Sequence, residues 1–211
     1  MALQLSESDV AELLSPADAV EAVEACFRRL AAGAVENRPR YRLGLDRGAL
    51  AVMAAADLEL GYAGAKVYAG FRDGARFAVL LFRADAPELV AVIDADKLGQ
   101  LRTGAASAVA AKHLARAGAA SLGVIGCGWQ AESQVECIRA ALPSLERVVA
   151  YCRTEERLRE FCERLDCEPG ESHRDPAGCD VVVTVTGSPD PVLRGEWLRP
   201  GALVCAVGAN D

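Results

Sequence analysis

The chain has 211 residues, 52% apolar and 25% charged, with a formal net charge of −7. This is enough apolar material for one large domain or two small ones with packed cores, which excludes disorder. Charges of both signs are mixed with no basic block, no stretch of 18 apolar residues lacks a charge, and the N-terminus has no signal-peptide layout. Nucleic acid and membrane are therefore poor partners, and a cytoplasmic location is expected.

The first helix is expected at Ser6, with Asp9 as its capping partner three residues on. A second is bounded by Ser15 as N-cap, Pro16 at the first helical position and Gly33 as terminator, with Val20, Val23, Phe27 and Leu30 on one face. Pro39 extends the segment 38–42. Strand-like runs follow at 50–54, 63–69, 77–82 and 89–93, broken by turn signals at Asp73-Gly74 and Ala86-Pro87. This half reads as helices followed by an antiparallel sheet. At Thr103 the texture changes to a helix of small residues, 104–111, with Thr103 as its expected cap and Gly118 beyond its end. Strands at 122–126, 147–151, 165–169 (weakly), 180–185 and 203–207 then alternate with helices, the rhythm of a doubly wound parallel sheet. The boundary falls near residue 118.

The most informative stretch is Gly126-Cys127-Gly128-Trp129-Gln130-Ala131, directly after the apolar run 122–125. Here a strand passes through a tight turn into an amphipathic helix carrying Val135, Ile138 and Leu142. In the G-x-G-x-x-G/A pattern the first Gly permits the turn, the second lets a phosphate approach bare backbone, and the third small residue lets helix and strand pack closely. The amides that open the helix attract an anion. The next strand ends in Cys152-Arg153-Thr154, where a chain selective for NAD would place a carboxylate on the ribose hydroxyls. A guanidinium and a hydroxyl suit a 2′-phosphate instead, so NADP is the expected cofactor and NAD remains possible. At the ends of later strands, Thr184, Thr186, Val207 and Gly208 are expected to face the cofactor.

Arg40, Lys66 and Arg102 sit among apolar or small neighbours. Each alone reads as a surface charge; together they suggest a pocket for a substrate carboxylate, with Lys66 able to donate to a carbonyl or imine centre. Eight cysteines without a C-x-x-C pair read as reduced thiols acting as small hydrophobes. His113 and His173 have no ligand-spaced partners, so no metal site is expected.

Arg40 after Pro39, the Lys66 strand, Leu101-Arg102-Thr103-Gly104-Ala105-Ala106-Ser107, the glycine turn and the segment from Pro191 to Gly201 together resemble the ornithine cyclodeaminase/mu-crystallin family. The likeness runs over essentially the whole chain. It implies an α/β protein with an N-terminal α+β substrate and dimerisation domain (1–118), followed by a doubly wound Rossmann domain for NAD(P) (119–211), and a homodimer. It further implies that Arg40, Lys66 and Arg102 hold the substrate carboxylate and reacting centre, and that Thr103 lies near the cofactor phosphates.

Family activities include ornithine cyclodeaminase, ketimine reductase and dehydrogenases of alanine and related amino acids. Two departures bear on the choice. Ornithine cyclodeaminases carry an aspartate just after the Val-Gly of the last strand; the matching position here is Asn210, with Asp211 one residue off, and both are candidate catalytic residues. Family members also continue well past this point, so the Rossmann domain is expected to be truncated at its C-terminus. The leading expectation is an NAD(P)-dependent oxidoreductase acting on a small amino or imino acid. Conversion of ornithine to proline and ammonia is the first alternative, and a non-catalytic nucleotide-binding fragment the second.

Overall fold

A capping box starts the first helix of the computed structural model, which describes residues 1–208. The Ser6 hydroxyl accepts from the Asp9 amide at 3.3 Å, and the Asp9 carboxylate accepts from the Ser6 amide at 2.8 Å. Two compact units follow from the contacts, one of residues 1–15 with 21–99, the other of residues 16–20 with the chain from Gln100 onward.

The first half runs β1 (Leu3–Leu5), α1 (Glu7–Leu13), α2 (Pro16–Ala31), β2 (Val35–Asn37), β3 (Tyr41–Leu45), β4 (Gly48–Asp57), β5 (Tyr62–Phe71), β6 (Gly74–Arg83), β7 (Leu89–Asp94) and α3 (Asp96–Leu114). The strands make one sheet in the order β1-β7-β6-β5-β4-β2, with β3 also on β4. Two tight turns let the chain fold back with full register from β4 through β6. Gly61 and Gly74 take positive φ there, at 78° and 152°. The expected antiparallel sheet is present, with one correction: β1 lies parallel to β7. Three residues carry too little periodicity to be read as a strand.

α3 begins seven residues before the expected cap at Thr103. The physical reason lies 89 residues away: the Glu7 carboxylate accepts from the amides of Asp96 at 2.7 Å and Lys97 at 2.8 Å. A carboxylate on those opening amides serves as a long-range cap. Arg102 and Thr103 consequently sit inside the helix rather than at its start.

The second half continues β8 (Ser121–Ile125), α4 (Trp129–Ala141), β9 (Arg147–Tyr151), α5 (Glu155–Leu165), β10 (Glu168–Pro169), α6 (Arg174–Ala177), β11 (Val181–Thr184), a 3-10 turn (Gly195–Trp197) and β12 (Leu203–Ala206). All five strands are parallel, in the order β10-β9-β8-β11-β12. Strand order therefore reverses between β8 and β11, the place where doubly wound sheets bind ligands at their carboxyl ends. Leu122, Val124, Ile125, Val148, Val149 and Val181 through Val183 are buried, as in strands covered on both faces. The weak element expected at 165–169 resolves into the end of α5, a left-handed Asp166 (φ 49°) and the short β10.

Close helix packing in this unit depends on glycine. A Cβ on Gly104 of α3 would collide with the Ser133 backbone of α4, as the run of small residues anticipates.

Asp180, just before β11, is 4% exposed and ties that strand to β8 and to the loop that precedes it. Its carboxylate accepts from the amides of Ala120 and Ser121 (3.0 and 3.1 Å), from the Ser121 hydroxyl (2.9 Å) and from Arg116 Nε (3.0 Å). Burial alone would raise its pKa, but the Ala120 amide, Arg116 and Ser121 together hold it well below the usual carboxylate range.

Candidate functional site

The glycine turn sits at the reversal of strand order. Gly126 donates its amide to the Tyr151 carbonyl at 2.9 Å and takes φ +114°; a Cβ there would lie 2.5 Å from the Val185 carbonyl oxygen. Only glycine fits both constraints. Gly128 is the N-cap of α4, supplies no side-chain cap, and would meet nothing within 4 Å if it carried a Cβ. The first turn of α4 thus opens on free space. Ala131 is completely buried, as the third position of the pattern requires.

Neighbouring loops close around this turn. The Val185 amide donates to Ile125 at 2.9 Å, while those of Val207 and Gly208 donate to the Thr184 carbonyl at 2.8 and 3.1 Å. A Cβ on Gly208 would lie 2.7 Å from the Thr186 carbonyl oxygen. Thr184, Thr186, Val207 and Gly208 are therefore gathered at the strand ends beside Gly126. Trp129 is half-exposed, and Gln130 keeps a buried Oε1 with no hydrogen-bond partner among the described residues. Sequence reasoning missed Gln100, which is fully buried and donates its side-chain amide to the Trp129 carbonyl, bracing the first turn of α4 from α3.

At the end of β9, Arg153 is exposed and makes no ion pair among the described residues. Thr154 is the N-cap of α5, yet its hydroxyl makes no capping bond. A nicotinamide dinucleotide fits this set of groups: glycine-lined backbone and helix amides suit its diphosphate, and an unpaired guanidinium suits a 2′-phosphate.

In the first unit, Arg40 Nη1 donates to the Tyr68 hydroxyl at 3.0 Å. The Lys66 ammonium lies 5.3 Å from the centre of the Tyr68 ring and 4.7 Å from that of Phe77, and the two rings stack at 4.9 Å. Tyr68 thus brings Arg40 and Lys66 together. The signal was in the sequence, since Tyr68 lies two residues beyond Lys66 and so shares its strand face. Beside it lies a depression of about 310 Å³ whose lining includes Glu7, Arg76, Asp94 and Asp96. Burial and the nearby Glu7 carboxylate raise the Asp96 pKa. Arg102 is exposed on α3 and Thr103 half-buried next to it. Asn210 and Asp211 lie outside the described residues.

All eight cysteines are free thiols, and four, Cys137, Cys162, Cys179 and Cys205, are buried. The described residues contain no group of His, Cys, Asp or Glu able to hold a metal ion, and none of their helices is long and apolar enough to cross a membrane. His173 packs its edge on Tyr151 at 4.7 Å.

A parallel sheet that reverses order beside a glycine turn and an open helix N-terminus defines a Rossmann-type nucleotide-binding unit. The chain as a whole belongs to the ornithine cyclodeaminase/mu-crystallin family, whose model matches residues 2–211. It is 36% identical to an alanine dehydrogenase of Archaeoglobus fulgidus over 222 residues, covering 99% of this chain and 67% of that one. Among solved structures it resembles an archaeal alanine dehydrogenase dimer with bound NAD (TM-score 0.89, 33% identity, 96% of this chain and 66% of the other). A third relative is the Δ1-pyrroline-2-carboxylate reductase of Thermococcus litoralis, in complex with NADH and L-proline (TM-score 0.89, 26% identity, 98% and 68%). The chain spans about two thirds of the length of these relatives.

Proposed function

We propose that this chain is the larger part of a cytoplasmic, homodimeric NAD(P)-dependent oxidoreductase acting on a small amino or imino acid. The observation that carries this reading is the turn at Gly126, which no side chain can fill and which opens on the amides of α4 at the reversal of strand order. The alanine dehydrogenase and the pyrroline-2-carboxylate reductase, with their bound NAD and NADH, support it. Residues 119–211 hold the cofactor and residues 1–118 the substrate. Tyr41, Leu43 and Leu45, exposed along β3, support an association surface in that first part.

A bound nicotinamide cofactor would supply the hydride chemistry at the substrate α-carbon. Gly126, Gly128 and the Trp129, Gln130 and Ala131 turn of α4 bind the diphosphate, Thr103 lies near it, and Thr184, Thr186, Val207 and Gly208 line the cofactor. Arg153 and Thr154 bind a 2′-phosphate and favour NADP. Arg40 and Arg102 hold the substrate carboxylate. Lys66, kept in place by the Tyr68 and Phe77 rings, donates a hydrogen bond to the reacting carbonyl or imine. Asn210 and Asp211 are assigned to the catalytic step after the last strand.

Incubation with NADPH and cyclic imines, and separately with NAD and ornithine, tests the reading. Net NADPH oxidation is expected. Ammonia and proline without net NADH would replace the reductase with the cyclodeaminase, and nucleotide binding without turnover of either would leave a binding protein.

A further inference from the structure

α3 and α4 meet closely at two points, and the second of them holds the opening turn of α4. Gly104 leaves room for the Ser133 backbone. One turn earlier on each helix, the Gln100 side-chain amide donates to the Trp129 carbonyl. Gln100 is fully buried, so this bond is sheltered from water. A primary amide is costly to bury unless it is hydrogen-bonded, and in a low local dielectric its dipole acts strongly on the group it touches.

The carbonyl it touches belongs to the peptide group whose N–H is that of Gln130. A helix leaves its first amides without internal partners. In α4 the Ala131 amide turns back to the Gly128 carbonyl at 2.9 Å, whereas the Gln130 amide donates to nothing among the described residues. The Gln130 N–H is thus one of the donors left at the open end of α4.

We propose that Gln100 is a positioning residue for the diphosphate of a bound nicotinamide dinucleotide: it fixes and polarises the Trp129–Gln130 peptide, so that the Gln130 N–H is aimed and strengthened as a donor to a phosphate oxygen. A donor on the carbonyl of a peptide draws electron density from its nitrogen, and hydrogen bonds chained through one peptide group reinforce one another. This role rests on the proposed cofactor site. It concerns the diphosphate, which NADPH and NADH share, whereas Arg153 is assigned to the 2′-phosphate that only NADPH carries. Loss of Gln100 therefore weakens both nucleotides alike.

Two substitutions test this. Gln100→Met keeps an unbranched side chain without the donor. Gln100→Glu presents a carboxylate at high pH and, once protonated, an O–H that donates to the same carbonyl; burial favours that neutral form. Each folded variant is titrated with NADPH and with NADH, and the Gln130 amide is followed by 15N NMR without nucleotide. In Gln100→Met, both affinities should fall about tenfold and the Gln130 signal should shift. In Gln100→Glu, affinity relative to the unsubstituted protein should be low at about pH 8 and recover at about pH 5, a recovery that Gln100→Met does not show. Unchanged affinity in Gln100→Met, a loss confined to one nucleotide, an unmoved Gln130 signal, or a Gln100→Glu deficit that is the same at both pH values would overturn the proposal. Loss of the fold in both variants would make Gln100 a structural residue and overturn it as well. Failure of the unsubstituted protein to bind either nucleotide, with the Gln130 signal still responding to Gln100→Met, would sink the cofactor reading instead.

Discussion

Gly126 carries two demands at one position: a φ that L-residues rarely adopt and a Cβ site 2.5 Å from a carbonyl oxygen. Gly126→Ala should cost about 1–3 kcal/mol of stability from backbone strain and carbonyl contact. It should also abolish measurable NADPH binding in a titration; unchanged affinity would show that the turn does not hold the diphosphate. Arg153 tests the cofactor choice. Arg153→Asp should weaken NADPH much more than NADH, and equal losses would remove the NADP assignment. Features of this kind were legible because they are local: the Ser6–Asp9 cap and the spacing of Gly126, Gly128 and Ala131 each lie within six residues. Tyr68 was harder to read because its role depends on Arg40, 28 residues away across the sheet.

Elements were legible where periodicity ran long. The meander β4 to β6 and the alternation from β8 onward follow from runs of apolar residues and the glycines between them. The start of α3 was not, because its cap is Glu7, on another helix. Asp180 is a similar long-range device, fastening the connection between α3 and β8, and the start of β8, to the start of β11 through Arg116, Ala120 and Ser121. Because its folded pKa is depressed, it stabilises the fold above the unfolded carboxylate value of about 3.9, and this contribution fades as pH falls below that value toward the folded one. Asp180→Asn should therefore destabilise the protein by about 2 kcal/mol at pH 7. By urea unfolding the deficit should shrink by about 1 kcal/mol at pH 3. A deficit independent of pH would mean that Asp180 acts through packing rather than charge.

For the whole molecule, the change of texture in the sequence near residue 103 tracks a change of architecture, from a meander with one short parallel edge to five parallel strands. The contacts divide inside two helices, after Val20 in α2 and after Gly99 in α3, so no turn or linker marks the change. The proposed placing of the cofactor rests on the fold, since among the described residues only the parallel sheet offers a reversal of strand order and an uncapped helix end beside glycine. A crystal structure of the chain with NADPH tests this most directly. The diphosphate should lie against the amides that open α4, beside Gly126 and Gly128, with the 2′-phosphate at Arg153; a turn left empty while the nucleotide binds elsewhere would contradict it.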